Sequence, residues 1–153
     1  DYEIIGGNSM ILGDLQEGIV IDHIPVGKGM VLYHYLGLDK LNSQIALIEN
    51  AVSSKRGQKD ILKVAEHIDL DFALLGYFDP HITVNIVHNG EIVEKKHPQL
   101  PETITNILHC HNPRCITSIE QELDHVFRLT DPETKTYRCI YCETIGKEDD
   151  VEM

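Results

Sequence analysis

Cysteine is absent from the first 109 residues of this 153-residue chain, tryptophan is absent altogether, and cations are scarce. With 13 basic against 25 acidic side chains the formal net charge is -12. That balance argues against nonspecific binding to nucleic acid, which requires neutralisation of phosphates. It argues equally against adhesion to anionic lipid. No apolar run approaches the roughly 20 residues that cross a bilayer. No basic segment followed by a long apolar core is visible, so no secretory signal is expected and the expected location is cytoplasmic. No glycine-rich phosphate loop is present, because Gly27-Lys28-Gly29 is too short to be one. No Ser/His/Asp or Cys/His catalytic order appears, and Asp22-His23 has no partner that a motif identifies. A chain of this length can bury about two thirds of its unfolded surface. Size alone therefore does not force it to use metal or disulfides.

The four cysteines are Cys110, Cys115, Cys139 and Cys142. The first pair encloses four residues, the second encloses two, and 23 residues separate the pairs. Two short turns of this kind can bring four thiolates to one tetrahedral Zn²⁺. Complete protein ligation leaves no open position for water or substrate, so the expected role is structural. Iron on the same four sulfurs, two disulfides, or Cys139-Cys142 as an isolated redox pair are the alternatives. His109 and His111 flank the first ligand and could replace one. The acidity is spread over the chain: residues 1–100 hold 14 acidic and 8 basic side chains, and residues 101–153 hold 11 and 5. With Pro98 and Pro101 marking an extended connector, two domains are expected, at 1–100 and 101–153. Arg114, Arg128, Lys135, Arg138 and Lys147 form no basic stripe, so protein contact is the expected use of the second domain, with Pro113-Arg114 as a presenting loop.

The β-branched run Ile19–Ile24 predicts a strand ended by Pro25. Met30, Val31, Tyr33, His34, Leu36 and Leu38 recur at helical spacing, with Gly37 as a stop. Ile45–Ile48 predicts a strand, and Ser53–Gln58 a polar loop. Asp60, Ile61, Leu62, Val64, Ala65 and Ile68 predict a second helix, and Phe72–Leu75 a strand. Ile82–Val87 and Glu91–Glu94 flank Asn89-Gly90, the preferred two-residue hairpin turn. Two helices among four or five strands predict an α+β sandwich with helices on one sheet face, nearest to a ferredoxin-like topology. The last third offers short candidates at Ile104–Leu108, Val126–Leu129 and Thr136–Arg138.

Lys59 and Lys63 are four apart, which on the expected helix places both on one face. Two cations on one face of an acidic chain point to an anion, unless Asp60 and Glu66 neutralise them. Asn85 and Lys95 lie in the later hairpin, and one of Asp22 and His23 is expected to face a cleft, because adjacent strand residues point to opposite sides.

Residues 12–145 together resemble the regulatory chain family of aspartate carbamoyltransferase. The resemblance is carried by Val20-Ile21-Asp22-His23-Ile24-Pro25, Lys59-Asp60-Ile61-Leu62-Lys63, the stretch from Ala73 to Thr83-Val84-Asn85, Leu100-Pro101-Glu102 and the cysteine pattern. It implies an N-terminal ferredoxin-like domain that binds nucleotide effectors and forms a regulatory dimer. It also implies a small all-β, rubredoxin-like zinc domain that contacts a separate catalytic chain. Two catalytic trimers and three regulatory dimers would form the holoenzyme, and this chain would not itself catalyse. The implied effectors are CTP, ATP and in some cases UTP, acting on the committed step of pyrimidine biosynthesis. The implied nucleotide site is Leu12, Asp14, Leu15, Val20, Asp22, His23, Lys59, Lys63, Asn85, Val87, Ile92 and Lys95. Its three lysines would take the ribose or phosphate end, with Asp22 on the ribose, His23 near the ribose and phosphate, and backbone near Leu12 and Asn89–Ile92 on the base. Gly13 stands where the family has an acidic residue, and Gly90 where it has an aromatic one. Nucleotide preference and the sign of the response are therefore expected to depart from the family pattern.

Overall fold

The structure is a computed structural model that describes residues 15–53 and 57–147. Leu12, Gly13 and Asp14, and Ser54–Arg56 of the expected polar loop, lie outside the described residues. The first sheet is built from β1 (Glu17–Ile24), β2 (Ile45–Ser53), β3 (Gly57–Val64), β4 (Thr83–His88) and β5 (Glu91–Lys96). Helix α1 (Gly29–Tyr35) follows β1, and α2 (Phe72–Phe78) follows β3. The strand order is β2-β3-β1-β4-β5, with every neighbouring pair antiparallel. Up to β4 the chain follows the β-α-β-β-α-β order of a split βαβ unit, and β5 extends it by a hairpin.

Central strand β1 decides which side chains meet. Ile19, Ile21 and Ile24 join Leu62, Val64 and Val84 in a core closed by Leu32, Leu74, Leu75 and Tyr77 from the helices. The intervening positions form a second apolar cluster of Val20, Ile61 and Val87 on the other sheet face. Because both faces of β3 are buried from Lys59 onward, its apolar residues do not alternate. A doubly buried strand reads as a continuous apolar run, which at Asp60–Ile68 mimics a helix. The expected second helix is therefore a strand as far as Val64. Lys59 and Lys63 still share a face, because four residues also span two full strand periods. Ser53, Gly57 and Gln58 are strand residues rather than loop. Phe72–Leu75 is helix, not strand: the Asp71 carboxylate accepts the Leu74 N–H at 3.1 Å, an N-cap that commits the segment. The first helix, its Gly37 stop at φ 73° and the Asn89-Gly90 hairpin match expectation.

The second sheet has the order β6-β7-β8, from β6 (Thr103–Thr105), β7 (Val126–Asp131) and β8 (Thr136–Cys139), with a one-turn α3 at Ile116–Ile119. Its core of Ile104, Ile107, Leu108, Phe127 and Tyr137 runs on into the first. The joint lies on α2. The rings of Tyr77 and Tyr137 meet edge to face at 5.4 Å, and the Tyr137 hydroxyl donates to the Pro101 carbonyl at 2.6 Å. A side chain at Gly76 would place Cβ 1.9 Å from the Gln99 carbonyl oxygen, so helix and connector touch backbone to backbone.

Two carboxylates brace the first sheet. Glu17 at the start of central strand β1 accepts the Asn89 N–H at 2.9 Å and sits beside His67 and His88. The Asn89 N–H and then the two imidazoles hold its carboxyl down to about 2. Asp60 is fully buried, and it accepts the N–H groups of Gly27 at 3.1 Å, Gly29 at 3.0 Å and Asn50 at 3.1 Å. It thereby fixes the β1–α1 turn and a β2 bulge at once. Asp60→Ala removes the acceptor for all three donors. Each hydrogen bond to a charged group contributes roughly 1.5–3 kcal/mol, so the variant is expected to lose at least about 4 kcal/mol in urea unfolding.

Candidate ligand face and metal centre

One register row crosses the helix-free face of the first sheet. Lys63 pairs with Val20, Val20 with Asn85, and Asn85 with Lys95. Asp22 lies one pleat further along β1 and Lys59 two pleats further along β3, and their charged groups meet at 3.0 Å. Leu15 packs against the same face, beside Val20, Ile61 and Val87.

Two bulges complete this assembly, and neither has a visible sequence signal. On β1 the pairing jumps between Ile21 and Ile24, with His23 at φ 60°. Alternation is suspended there, so His23 reaches Thr83, the β4 partner of Asp22, with Nδ1 3.2 Å from the hydroxyl. The expected choice between Asp22 and His23 does not arise, because the bulge brings both toward one side. On β5 Val87 pairs with Ile92 while Ile86 pairs with Glu94, leaving Val93 as the extra residue. Ile92 and Lys95, three apart, thereby share the face. A cavity of about 240 Å³ opens at the His23 end, lined by His23, Pro25, Val26, Gln58, Lys59 and Asp79.

The electrostatics suit an anion. Lys59, Lys63 and Asp22 are 6%, 2% and 4% exposed, an unusual burial for charged groups. Burial pushes the Lys63 ammonium below the usual lysine range, and Asp22 partly opposes the shift. Among the described residues, Asn85 Oδ1 is a buried acceptor without a donor. Such an atom is costly unless something supplies a hydrogen bond. Asp60, a candidate neutraliser of the lysines, faces the helices instead.

In the second sheet Cys110, Cys115, Cys139 and Cys142 converge, with all four sulfurs within 4.8 Å of one another. Cys110 and Cys142 sulfurs are 3.6 Å apart, and Cys115 and Cys139 sulfurs 3.7 Å apart. These separations are far beyond a disulfide bond of about 2.05 Å. They match the edge of about 3.8 Å that a tetrahedron has when each sulfur is about 2.3 Å from zinc. The donor set thus fits a four-thiolate ion, and neither flanking histidine belongs to the cluster. Burial raises the Cys110 and Cys139 thiols. Burial also opposes ionisation of Cys142, yet hydrogen bonds from Thr144 and Asn112 bring it to about 6. The Cys110 N–H donates to His125 Nδ1 at 3.0 Å, which gives that ring a supporting place behind the first ligand. Glu143, at φ 68°, closes the second turn by donating its N–H to the Cys139 carbonyl at 2.9 Å.

Comparison with known proteins finds two family matches along the chain. Residues 10–99 match the aspartate carbamoyltransferase regulatory chain, allosteric domain. Residues 102–152 match the metal binding domain of the same regulatory chain. The chain is 44% identical to the aspartate carbamoyltransferase regulatory chain of Clostridium botulinum over 142 residues, covering 93% of this chain and 97% of that one. It is 46% identical to the Clostridium tetani regulatory chain, covering 90% and 96% of the two chains. It is 41% identical to that of Bifidobacterium longum, covering 90% and 99%.

Lys63 offers a test of whether this face is built for stability or for binding. Lys63→Met keeps the apolar stem and removes the buried charge. Burial disfavours the Lys63 charge in the folded chain, so removing that charge is expected to gain about 1 kcal/mol in urea unfolding. A loss of several kcal/mol would mark Lys63 as a structural residue.

Proposed function

The chain belongs to the aspartate carbamoyltransferase regulatory-chain family, and on that premise we propose how its two sheets divide the work. It is a non-catalytic allosteric subunit in pyrimidine biosynthesis, with carbamoyl transfer carried by a separate chain. The first domain, residues 1–100, binds a nucleoside triphosphate of the CTP, ATP or UTP type on the helix-free face. The observation that carries this reading is the single row of Lys63, Val20, Asn85 and Lys95, with the donorless Asn85 Oδ1 in its middle.

Lys59, Lys63 and Lys95 take the phosphates, with His23 beside the cavity at their end. Asp22, already tied to Lys59 at 3.0 Å, meets the ribose hydroxyls. Asn85 Oδ1 accepts an N–H from the base, between the apolar supports Val20, Val87, Leu15 and Ile92. Leu12 and Asp14 are assigned to the same site by family resemblance. Gly90, at φ 79° in its turn, offers the base no ring to stack on, which supports a shifted nucleotide preference.

The second domain, residues 101–153, is a rubredoxin-like structural zinc domain held by Cys110, Cys115, Cys139 and Cys142. Four thiolates leave the ion no open position, so zinc would supply cohesion rather than Lewis acidity. Exposed Ile116, Ile119, Ile140, Tyr141 and Ile145 surround the cysteine turns and support this surface as the contact with the catalytic chain. Self-association as a regulatory dimer, and assembly of two catalytic trimers with three such dimers in the cytoplasm, complete the proposal. An effector acts only through unequal binding to the low- and high-activity states of that assembly. The Tyr77–Tyr137 contact on α2 supplies a packed route between the two sheets.

Two outcomes check this division. The ammonium of Lys63 must be charged to hold phosphate, and its free-state pKa lies below the ordinary value. Nucleotide affinity therefore falls as pH rises through that depressed value, earlier than a lysine at about 10.4 would dictate. Lys63→Arg, charged throughout, should move the fall to higher pH in calorimetric titrations of ATP and CTP. Zinc binding can supply roughly 10–16 kcal/mol of apparent free energy. Cys139→Ala should accordingly abolish bound zinc, unfold the second sheet and prevent assembly with catalytic trimers in gel filtration. Retained zinc with normal assembly would contradict the assignment.

A further inference from the structure

At the opposite end of β1 from His23, Glu17, His67 and His88 bring three metal-competent atoms within 4.8 Å of one another. Glu17 Oε1 is 3.0 Å from His67 Nε2 and 2.9 Å from His88 Nδ1. We propose that these three residues form a second metal site, for a divalent transition cation of the zinc type, separate from the four cysteines.

The scaffold places two ligands on the neighbouring strands β1 and β4 and the third just past the end of β3. Glu17 and His88 are directly opposed in the β1–β4 register. His67 follows β3, which pairs with the other edge of β1. The second Glu17 oxygen accepts the Asn89 N–H at 2.9 Å, which fixes the carboxylate and leaves Oε1 toward the imidazoles. Such support behind a ligand is what orients it for metal. Adjacent ligands about 2.0–2.1 Å from one ion stand about 2.9 Å apart in an octahedron and about 3.3 Å in a tetrahedron. The two Glu17–imidazole separations match the octahedral edge, and the two imidazole nitrogens lie within 4.8 Å of each other.

Today each imidazole shares a proton with Glu17. To take the ion, each ring must present a lone pair at that nitrogen. The proton then moves to the other ring nitrogen. The side chains of His67 and His88 are 45% and 59% exposed, so water can carry that exchange. Two imidazoles and a carboxylate favour zinc, copper, nickel or iron(II) over magnesium and calcium, which prefer oxygen-only shells. Three protein ligands leave open positions, unlike the closed cysteine cluster.

The test is a calorimetric titration of Zn²⁺ into the full chain that already carries its first zinc. In parallel, imidazole nitrogen NMR reports which ring nitrogens respond. The expected result is one further equivalent, with His67 Nε2 and His88 Nδ1 shifting together. His67→Ala and His88→Ala should each weaken it at least tenfold, while His34→Ala leaves it unchanged. Circular dichroism checks that the exposed substitutions keep the fold, and the NMR reading on the unmodified chain needs no variant. Absence of a further equivalent, or one that persists undiminished in the double variant H67A/H88A, overturns the proposal.

Discussion

Register on the central strand is the constraint from which the rest follows. β1 is hydrogen-bonded to β3 on one side and β4 on the other, so Ile19, Val20 and Ile21 each have a fixed partner on both. With Ile19, Ile21 and Ile24 turned to the helices, Val20 and Asp22 must face the other way. A slip of one residue would exchange the two sets and put charge into the core. The same hydrogen bonds that close the core therefore bring Lys59, Lys63 and Asn85 together.

That helix-free face is costly to keep. Buried lysines, a buried carboxylate and an amide oxygen without a donor contribute little or negatively to folding. The neighbouring core offsets them, with side chains such as Ile21, Leu62 and Val84 fully excluded from water. Asp60 shows the contrast. It is just as buried, yet its three backbone donors make it a structural brace. Burial alone does not separate a binding residue from a brace; the partners do.

The second sheet has three strands and one helical turn, so its apolar core is small. Domains of this size commonly need a staple. The sulfur cluster occupies that role, and the shared Tyr77–Tyr137 packing anchors the sheet to α2. Because α2 also covers the first sheet, a change in that sheet's packing has a direct neighbour in the second. Allosteric communication in this chain has that short physical path available, without a separate relay.

The cysteine spacing pointed to a four-sulfur cluster, and the convergence of the two turns selected it over disulfides and an isolated redox pair. The hairpin was equally legible, because Asn-Gly suits left-handed turn conformations at both positions. Composition argued against a long nucleic acid, while the local lysines left a small anion open. Family resemblance named the ligand-face residues, but periodicity misassigned two of their neighbouring elements. At Asp60–Ile68 a strand buried on both faces imitates a helix, and at Phe72–Leu75 a short apolar run hid the cap at Asp71. Only tertiary structure decided the rest. The bulges at His23 and Val93 change which side chains share a face, the first in pairing with distant β3 and the second within the β4–β5 hairpin. The meeting of Glu17 with His67 and His88 likewise depends on residues 50 and 71 positions apart becoming neighbours, which no local pattern encodes.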